Sequence, residues 1–246
     1  MNYRESMNLN GQTVLITGSA RRIGRALALH LAKAGADIFV HHGSSPADAE
    51  QTAAEIHALG RKAWVLQADL VDPEQARQLV SRAWEIQPFD HLINNAAIFE
   101  PLNWDTTSAS DWQHTMEVNL TAPFLLSQQF ALKIAGKSGR ILNILDWRAL
   151  RPSTDHLPYT VSKAGLAALT KSLATALAPN ISVNGLALGA ILPPSDGAKT
   201  DKIIKDIPVK RWAELSEVGE AALFMLAGPQ YITGEILHVD GGRHLV

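Results

Sequence analysis

The chain has 246 residues, 46% of them hydrophobic, and a formal net charge of −2 at pH 7. Such a chain can bury a large core, and its charge excludes the basic surface that nucleic acids or anionic membranes require, so we expect neither as a partner. It has no cysteine, which excludes disulfides and thiolate sites, and its nine histidines lack ligand spacing, so we expect no metal. Because it shows no signal peptide and no apolar run of about 18 residues, we expect a cytoplasmic protein.

Short apolar runs alternate with segments of helical period along the chain, after a polar arm over residues 1–10. Strands are predicted over 13–17, 37–41, 63–67, 91–94, 141–145, 181–186 and 235–239. Helices are predicted after the turn at 18–24 and over 46–59, 73–86, 110–135 with a break at Pro123, 159–177 and 216–226. This alternation predicts an α/β fold, a single doubly wound Rossmann domain over 1–246 with a parallel sheet of about seven strands.

The turn from Gly18 to Gly24 joins the first predicted strand to a helix. Backbone N–H groups and the helix dipole at such a junction attract phosphate, and Arg21 and Arg22 lie inside the turn. An ordinary βα turn is the alternative. The position in the first βα unit favours a nucleotide.

The end of the second predicted strand indicates which nucleotide binds. An acidic residue there would hold a ribose 2′-hydroxyl and favour NAD. This chain has instead the run His41, His42, Gly43, Ser44 and Ser45. Hydroxyl groups, with the nearby guanidinium groups, suit a 2′-phosphate, which predicts NADPH/NADP+ as the cofactor. The alternative is that the two serines only cap the next helix.

Tyr159 and Lys163 lie four residues apart on a predicted helix, so their side chains share one face. An ammonium group beside a phenol favours the phenolate, so we expect Lys163 to lower the pKa of Tyr159. Asp146 lies just past the preceding predicted strand. A carboxylate repels a phenolate, so we expect these two groups to share one proton, with better turnover on the acid side of neutrality. The alternatives are a solvated helix face and an aspartate that only caps a turn.

Taken together, these motifs resemble the short-chain dehydrogenase/reductase family over nearly the whole chain. The matching features are the turn at 17–24, Asp69, the NNAA run at 94–97, Asn119, Tyr159 with Lys163, and the VDGG run at 239–242. Three positions depart from the common pattern: Arg22 replaces a glycine, Asp146 the catalytic serine and Leu188 a proline. The first two, together with Phe99, resemble the pteridine reductases and bacterial dihydromonapterin reductases.

The resemblance implies a set of site residues. Those for the cofactor, including the phosphate-binding candidates above, are Gly18, Arg21, Arg22, Ile23, Gly24, His42, Ser44, Ser45, Asp69, Leu70, Asn95, Ala96, Ala97, Tyr159, Lys163, Gly189 and Ile191. Those for catalysis are Asp146, Tyr159, Lys163 and Asn119, the last by breaking its helix to hold a relay water. Those for the substrate are Arg22, Phe99, Asp146, Trp147 and Tyr159, with Trp212 as a further candidate wall of the pocket.

The implied reaction is NADPH-dependent reduction of a dihydropterin (dihydrobiopterin, dihydromonapterin or a dihydrofolate-like compound) by hydride transfer to a ring C=N. Phe99 would stack on the pterin, although a single aromatic after a strand can also be core packing. A mobile loop around 189–211 would close over the substrate. Two alternatives stay open: a carbonyl reductase acting on a 3-oxoacyl thioester or a sugar ketone, and a nucleotide-binding protein without turnover.

The resemblance also implies a homotetramer built on the helices at 110–135 and 159–177. A face of small residues on the second helix is compatible with close packing between subunits: Ala164, Ala167, Ala168 and Ala174.

Overall fold

A computed structural model describes residues 7–152, 154–192 and 204–246 of the chain. At its centre is a sheet of seven parallel strands in the order β3-β2-β1-β4-β5-β6-β7. The strands are β1 (Thr13–Ile16), β2 (Asp37–His42), β3 (Ala63–Gln67), β4 (His91–Asn94), β5 (Gly139–Asp146), β6 (Ile181–Leu188) and β7 (Ile236–Val239). The predicted doubly wound α/β fold is confirmed.

Helices connect these strands. In the described part of the chain they are α1 (Arg22–Lys33), α2 (Pro46–Ala58), α3 (Pro73–Ile86), α4 (Ala109–Met116), α5 (Ala122–Ile134), α6 (Leu157–Leu177) and α7 (Leu215–Ala227). Two 3₁₀ turns cover Trp147–Ala149 and Arg243–Leu245. None of the helices within the described ranges combines the length and the apolar character needed to cross a membrane.

The first strand shows why the sheet is buried on both sides. All four residues of β1 are buried. Val14 and Ile16 pack into one core cluster with α1 and α7, whereas Leu15 packs into a second cluster on the opposite face, with α3 and α5. Successive side chains of a strand point to opposite faces, so a strand covered by helices on both faces is apolar throughout.

The helix predicted over 110–135 is broken at Asn119, as predicted for that residue, and not at Pro123. A π-helical turn at Glu117–Thr121 separates α4 from α5, whereas Pro123 lies in the first turn of α5. Asn119 lies in this π turn, and its side chain binds the backbone of Ile98, accepting from its N–H at 2.8 Å and donating to its carbonyl oxygen at 2.9 Å. Proline is tolerated at the start of a helix, so Pro123 does not break it.

The predicted small-residue face of α6 is divided between the inside and the outside of the protomer. Ala167 and Ala174 are buried in the core. Ala164 is partly buried and Ala168 is exposed, so these two alone remain accessible to another subunit. The homotetramer therefore stays a prediction.

Parts of two other predictions lie outside the described residues. These are residues 1–6 of the amino-terminal arm and residues 193–203 of the loop around 189–211.

The order of the strands in the sheet indicates where a ligand site lies. In the sheet, β1 lies between β2 and β4. The chain therefore runs from β1 to β2 and β3 on one side of β1, and then crosses to β4 on the other side. Loops after adjacent strands diverge at such a reversal and leave a crevice at the carboxyl ends of the strands, where ligands of open α/β sheets bind.

A buried polar chain joins α6 to the sheet beside this crevice. The Asn94 amide donates to Asn143 Oδ1 at 2.8 Å, and the Asn143 amide donates to Thr170 Oγ1 at 2.9 Å. Since buried side-chain hydrogen bonds restrict movement, this chain holds the helix of Tyr159 in register with β4 and β5.

Candidate active site

A cavity of about 870 Å³ lies at the carboxyl ends of the strands. Every residue assigned to the cofactor in the sequence analysis lines it, although the assignments come from segments as distant as Gly18 and Ile191. Of the predicted substrate residues, Arg22, Phe99, Asp146 and Tyr159 line it, as does Trp212. Trp147 and Asn119 are not among the lining residues. The structure thus brings the predicted groups together, apart from these two.

The glycine turn has a backbone that restricts its residues. Gly18 has φ +63°, and a Cβ placed on Gly24 would overlap the Gly18 carbonyl oxygen. Arg22, where the family pattern has glycine, also lies in the left-handed region, with φ +54°. A residue with a side chain pays roughly 1–2 kcal/mol for this conformation. The arginine is therefore kept at a strained position, and such positions cluster at functional sites.

His41 holds this turn in place, a role that sequence reasoning did not assign to it. Gly18 N–H donates to His41 Nδ1 at 2.9 Å, so Nε2 carries the ring proton and donates to the Ala68 carbonyl oxygen at 3.1 Å. Burial lowers the pKa of His41 to about 4. The imidazole is therefore neutral at physiological pH, and it ties the glycine turn to the loop after β3.

The residues after β2 offer free hydrogen-bonding groups to a phosphate. His42 Nδ1 is buried and has no hydrogen-bond partner among the described residues. Ser45 occupies the N-cap position of α2 but makes no side-chain cap bond, so the alternative that it serves only as a cap gains no support. Arg21 is exposed and lies 3.9 Å from Asp48. These groups fit a 2′-phosphate, since an unpartnered buried polar atom is costly unless a ligand satisfies it.

Asp146 and Tyr159 meet at the far end of the cavity. The Tyr159 hydroxyl donates to Asp146 Oδ2 at 3.2 Å, while Asp146 Oδ1 accepts from the Arg148 N–H at 2.9 Å. Asp146 therefore caps a turn with one oxygen and contacts the phenol with the other. Burial raises the pKa of Asp146, and burial together with the Asp146 charge raises the pKa of Tyr159 well above its ordinary value. The phenol thus keeps its proton at neutral pH.

Lys163 lies beneath this pair but does not bond to the phenol. Its Nζ donates to the Ile144 carbonyl oxygen at 2.7 Å and lies 5.7 Å from the centre of the Tyr159 ring. Burial lowers the pKa of Lys163 to about 8. The expected lowering of the Tyr159 pKa is wrong in direction, because burial of the phenol and the adjacent Asp146 carboxylate raise this pKa and outweigh the positive charge of Arg148.

Phe99 already has an aromatic partner. Its ring stacks on His156, with centroids 3.8 Å apart and planes 12° apart, and meets the edge of Tyr159 at 4.6 Å. His156 Nδ1 lies 2.7 Å from the Glu100 carbonyl oxygen, which fixes the imidazole. Phe99 remains 52% exposed, so it belongs to the cavity wall and not to the core.

Among the cavity-lining residues that sequence reasoning missed are Arg148, His156 and Arg243. Arg148 follows Asp146 by two residues, so the sequence alone could have indicated that Arg148 lies near Asp146 and Tyr159. His156 and Arg243 carried no such signal, since only the packing of separate loops brings them to the site.

Comparison with known proteins agrees with the family resemblance of the sequence motifs. The family model described as short chain dehydrogenase matches residues 12–203. A 3-oxoacyl-[acyl-carrier-protein] reductase of Synechocystis sp. is 33% identical over 240 residues, covering 95% of this chain and 97% of the relative.

Solved structures agree over similar lengths. FolM alternative dihydrofolate reductase 1 of Brucella canis, complexed with NADP, superposes with a TM-score of 0.89 at 34% identity, covering 97% of this chain and 96% of that one. A short chain dehydrogenase of Burkholderia cenocepacia in complex with NADP has a TM-score of 0.91 at 34% identity, covering 96% and 99%. The NADP in both neighbours agrees with the predicted cofactor.

Proposed function

We propose that this chain, which belongs to the short chain dehydrogenase family, is an NADPH-dependent reductase of a dihydropterin. The observation that carries this proposal is the hydrogen bond between Tyr159 and Asp146 in a cavity that also contains Arg22 and Phe99. It combines a proton-bearing phenol, a buried carboxyl group and an aromatic wall, which suits an amino-substituted heterocycle with a basic ring nitrogen.

The cofactor would lie along the carboxyl ends of the strands. The glycine turn at 18–24 would hold its diphosphate, and His42 with Ser44 its 2′-phosphate. Asp69 and Leu70 would border its adenine, and Lys163 would hold the nicotinamide ribose. NADPH, when bound, supplies a hydride for reduction of a ring C=N.

The chain itself supplies the proton. The Tyr159 hydroxyl keeps its proton at neutral pH because burial and Asp146 both raise its pKa. It can donate this proton to a substrate nitrogen while Asp146, at 3.2 Å, orients the phenol. Loss of this proton at high pH would stop the reaction. Turnover should therefore fall on the alkaline side of its pH profile.

Arg22 and Phe99 would position the pterin. The exposed part of Phe99 offers a ring surface, and its stack on His156 keeps that ring from turning. Arg22 lines the same cavity. Its left-handed backbone conformation is unfavourable in free energy, and a ligand bound to its guanidinium group would explain why an arginine occupies this position. The likeness to FolM alternative dihydrofolate reductase 1 supports this assignment.

A 3-oxoacyl thioester reductase is the second candidate, because the relative from Synechocystis sp. carries that name. Asp146 counts against it. An ionised carboxylate cannot donate a hydrogen bond to a ketone oxygen, as the serine usual at this position does.

Oxidation of NADPH by the purified protein distinguishes these functions. Dihydrobiopterin, dihydromonapterin and acetoacetyl-coenzyme A would be compared at equal concentration, with Tyr159→Phe as the control for enzymatic turnover. We expect turnover with the pterins. Turnover with the thioester alone would refute the proposal in favour of the second candidate, and tight NADPH binding without turnover of any of them would indicate a protein without catalytic function.

A further inference from the structure

Two arginines lie over one tryptophan at the end of the cavity that holds Asp146. The guanidinium carbon of Arg148 lies 5.0 Å from the centre of the Trp147 ring, and that of Arg243 lies 4.4 Å from it. Both arginines line the cavity, and Trp147 is buried beneath them. An aromatic face holds a guanidinium group by cation–π attraction while leaving its N–H groups free to bind a ligand.

The position of Arg243 is built into the carboxyl-terminal turn. The buried Asp240 accepts hydrogen bonds from Gly242 N–H at 2.9 Å and from His244 N–H at 2.9 Å, and its Oδ2 lies 2.8 Å from His244 Nδ1. The Arg151 guanidinium donates to the Arg243 carbonyl oxygen at 3.4 Å. The turn therefore holds Arg243 over Trp147 before any ligand arrives, which lowers the entropy cost of binding.

The charges around these two arginines are not fully matched. Arg148 pairs with Asp155 at 3.2 Å and lies 3.8 Å from Asp146, but its buried Nε has no hydrogen-bond partner in the described part of the chain. Arg243 forms no ion pair within 4.0 Å among the described residues, and the carboxylates of Asp146, Asp155 and Asp206 act on it only from longer range. Arg22 adds a third guanidinium group to the same cavity. Unpaired positive charge in a partly buried site is costly and favours an anionic ligand.

We propose that Arg148 and Arg243 form an anion subsite that binds an acidic group on a substituent of the substrate, outside the ring that is reduced. This inference rests on the proposed function, in that the substrate reacts beside Asp146. A carboxylate and a phosphate ester would both suit two guanidinium groups. The subsite would therefore select substrates that carry an acidic side chain over neutral ones with the same reacting group.

The test uses two substrate pairs that differ in their acidic groups. Dihydrofolate carries glutamate carboxylates that dihydrobiopterin lacks, and acetoacetyl-coenzyme A carries phosphates that acetoacetyl-N-acetylcysteamine lacks; because the members of each pair also differ in size, only the change in their ratio between wild type and variant is used. In Arg243→Gln, we expect kcat/KM for the acidic member to fall about tenfold relative to its neutral partner, since a charge-assisted hydrogen bond can supply such a factor. A shift in the first pair identifies a carboxylate, and a shift in the second identifies a phosphate.

Arg77→Gln is the matched control, because it removes one positive charge from α3, outside the cavity lining. It should leave both ratios at their wild-type values. Arg243→Lys keeps the charge and should retain part of the selectivity, and it serves as the test variant if Arg243→Gln does not fold. If neither ratio moves in the Arg243 variant, or if both members of each pair lose activity equally, the anion subsite is refuted.

A binding measurement separates this inference from the proposed function. If the wild-type protein turns over none of these substrates, the proposed function fails, and calorimetry of N-(4-aminobenzoyl)-L-glutamate with the NADP+ complex decides on the subsite. Binding that weakens at least tenfold in Arg243→Gln would support it. Equal binding by both proteins, or none by the wild type, would overturn it.

Discussion

The buried imidazole of His41 gives the glycine turn a defined sensitivity to acid. His41 accepts a hydrogen bond from the Gly18 N–H, and this bond is lost when the ring becomes protonated. Its pKa is lowered from 6.5 to about 4 in the folded protein. Between these two values the unfolded chain binds more protons than the folded one, so stability is fully present above pH 6.5 and falls as the pH approaches 4.

The variant His41→Gln tests this reasoning. A glutamine can still accept from Gly18 and donate to Ala68, but it does not titrate. The difference between the two pKa values corresponds to about 3 kcal/mol. We therefore expect the loss of unfolding free energy between pH 7 and pH 4 to be about 3 kcal/mol smaller in the variant, measured by urea unfolding at each pH.

Two further measurements complete this test. His57→Gln, which removes an exposed imidazole from α2, should lose stability as the wild type does. NADP+ binding should also weaken less with acid in His41→Gln, because the glycine turn keeps its support. If the wild type and His41→Gln lose the same free energy over this range, His41 is not the neutral, buried support that the geometry indicates.

Three other substitutions have defined outcomes. Asp146→Asn should lower pterin turnover by about 10²–10⁴-fold. It should also raise thermal stability at neutral pH, because burial raises the pKa of the Asp146 carboxyl, so that its ionisation destabilises the fold. The gain in melting temperature should disappear at low pH, and a loss of both activity and stability would contradict this reasoning. Gly24→Ala should abolish NADP+ binding, since its Cβ would overlap the Gly18 oxygen. Gly60→Ala, whose Cβ would meet nothing within 4 Å and which lies outside the cavity lining, should bind NADP+ normally in the same calorimetric assay. Arg22→Gly should stabilise the protein by up to about 1 kcal/mol in urea while lowering pterin turnover, and an unstable but active variant would refute the strain argument.

The residues predicted for the cofactor meet at one cavity because the signals that mark them are local. The turn from Gly18 to Gly24 needs glycine for reasons of backbone geometry that act over a few residues. The same holds for the alternation of strands and helices, since hydrophobic period is set by neighbouring positions. The predicted break at Pro123 is wrong because proline is tolerated in the first turn of a helix, whereas the predicted break at Asn119 is present as a π turn.

The substrate half depended more on packing. The spacing of Asp146, Tyr159 and Lys163 indicated that they would meet, but not the direction of the Tyr159 pKa, which burial decides. Nor did the spacing show that Phe99 stacks on an imidazole from another loop.

By itself, therefore, the sequence determined the parallel sheet, the glycine turn after β1 and the placement of Tyr159 and Lys163 on one helical face. These follow from periodicity and from backbone geometry over short stretches. Only the tertiary structure decided how buried the phenol is and that Arg148 and Arg243 share one tryptophan. The physical reason is that desolvation and contacts between distant segments exist only once the whole chain has packed.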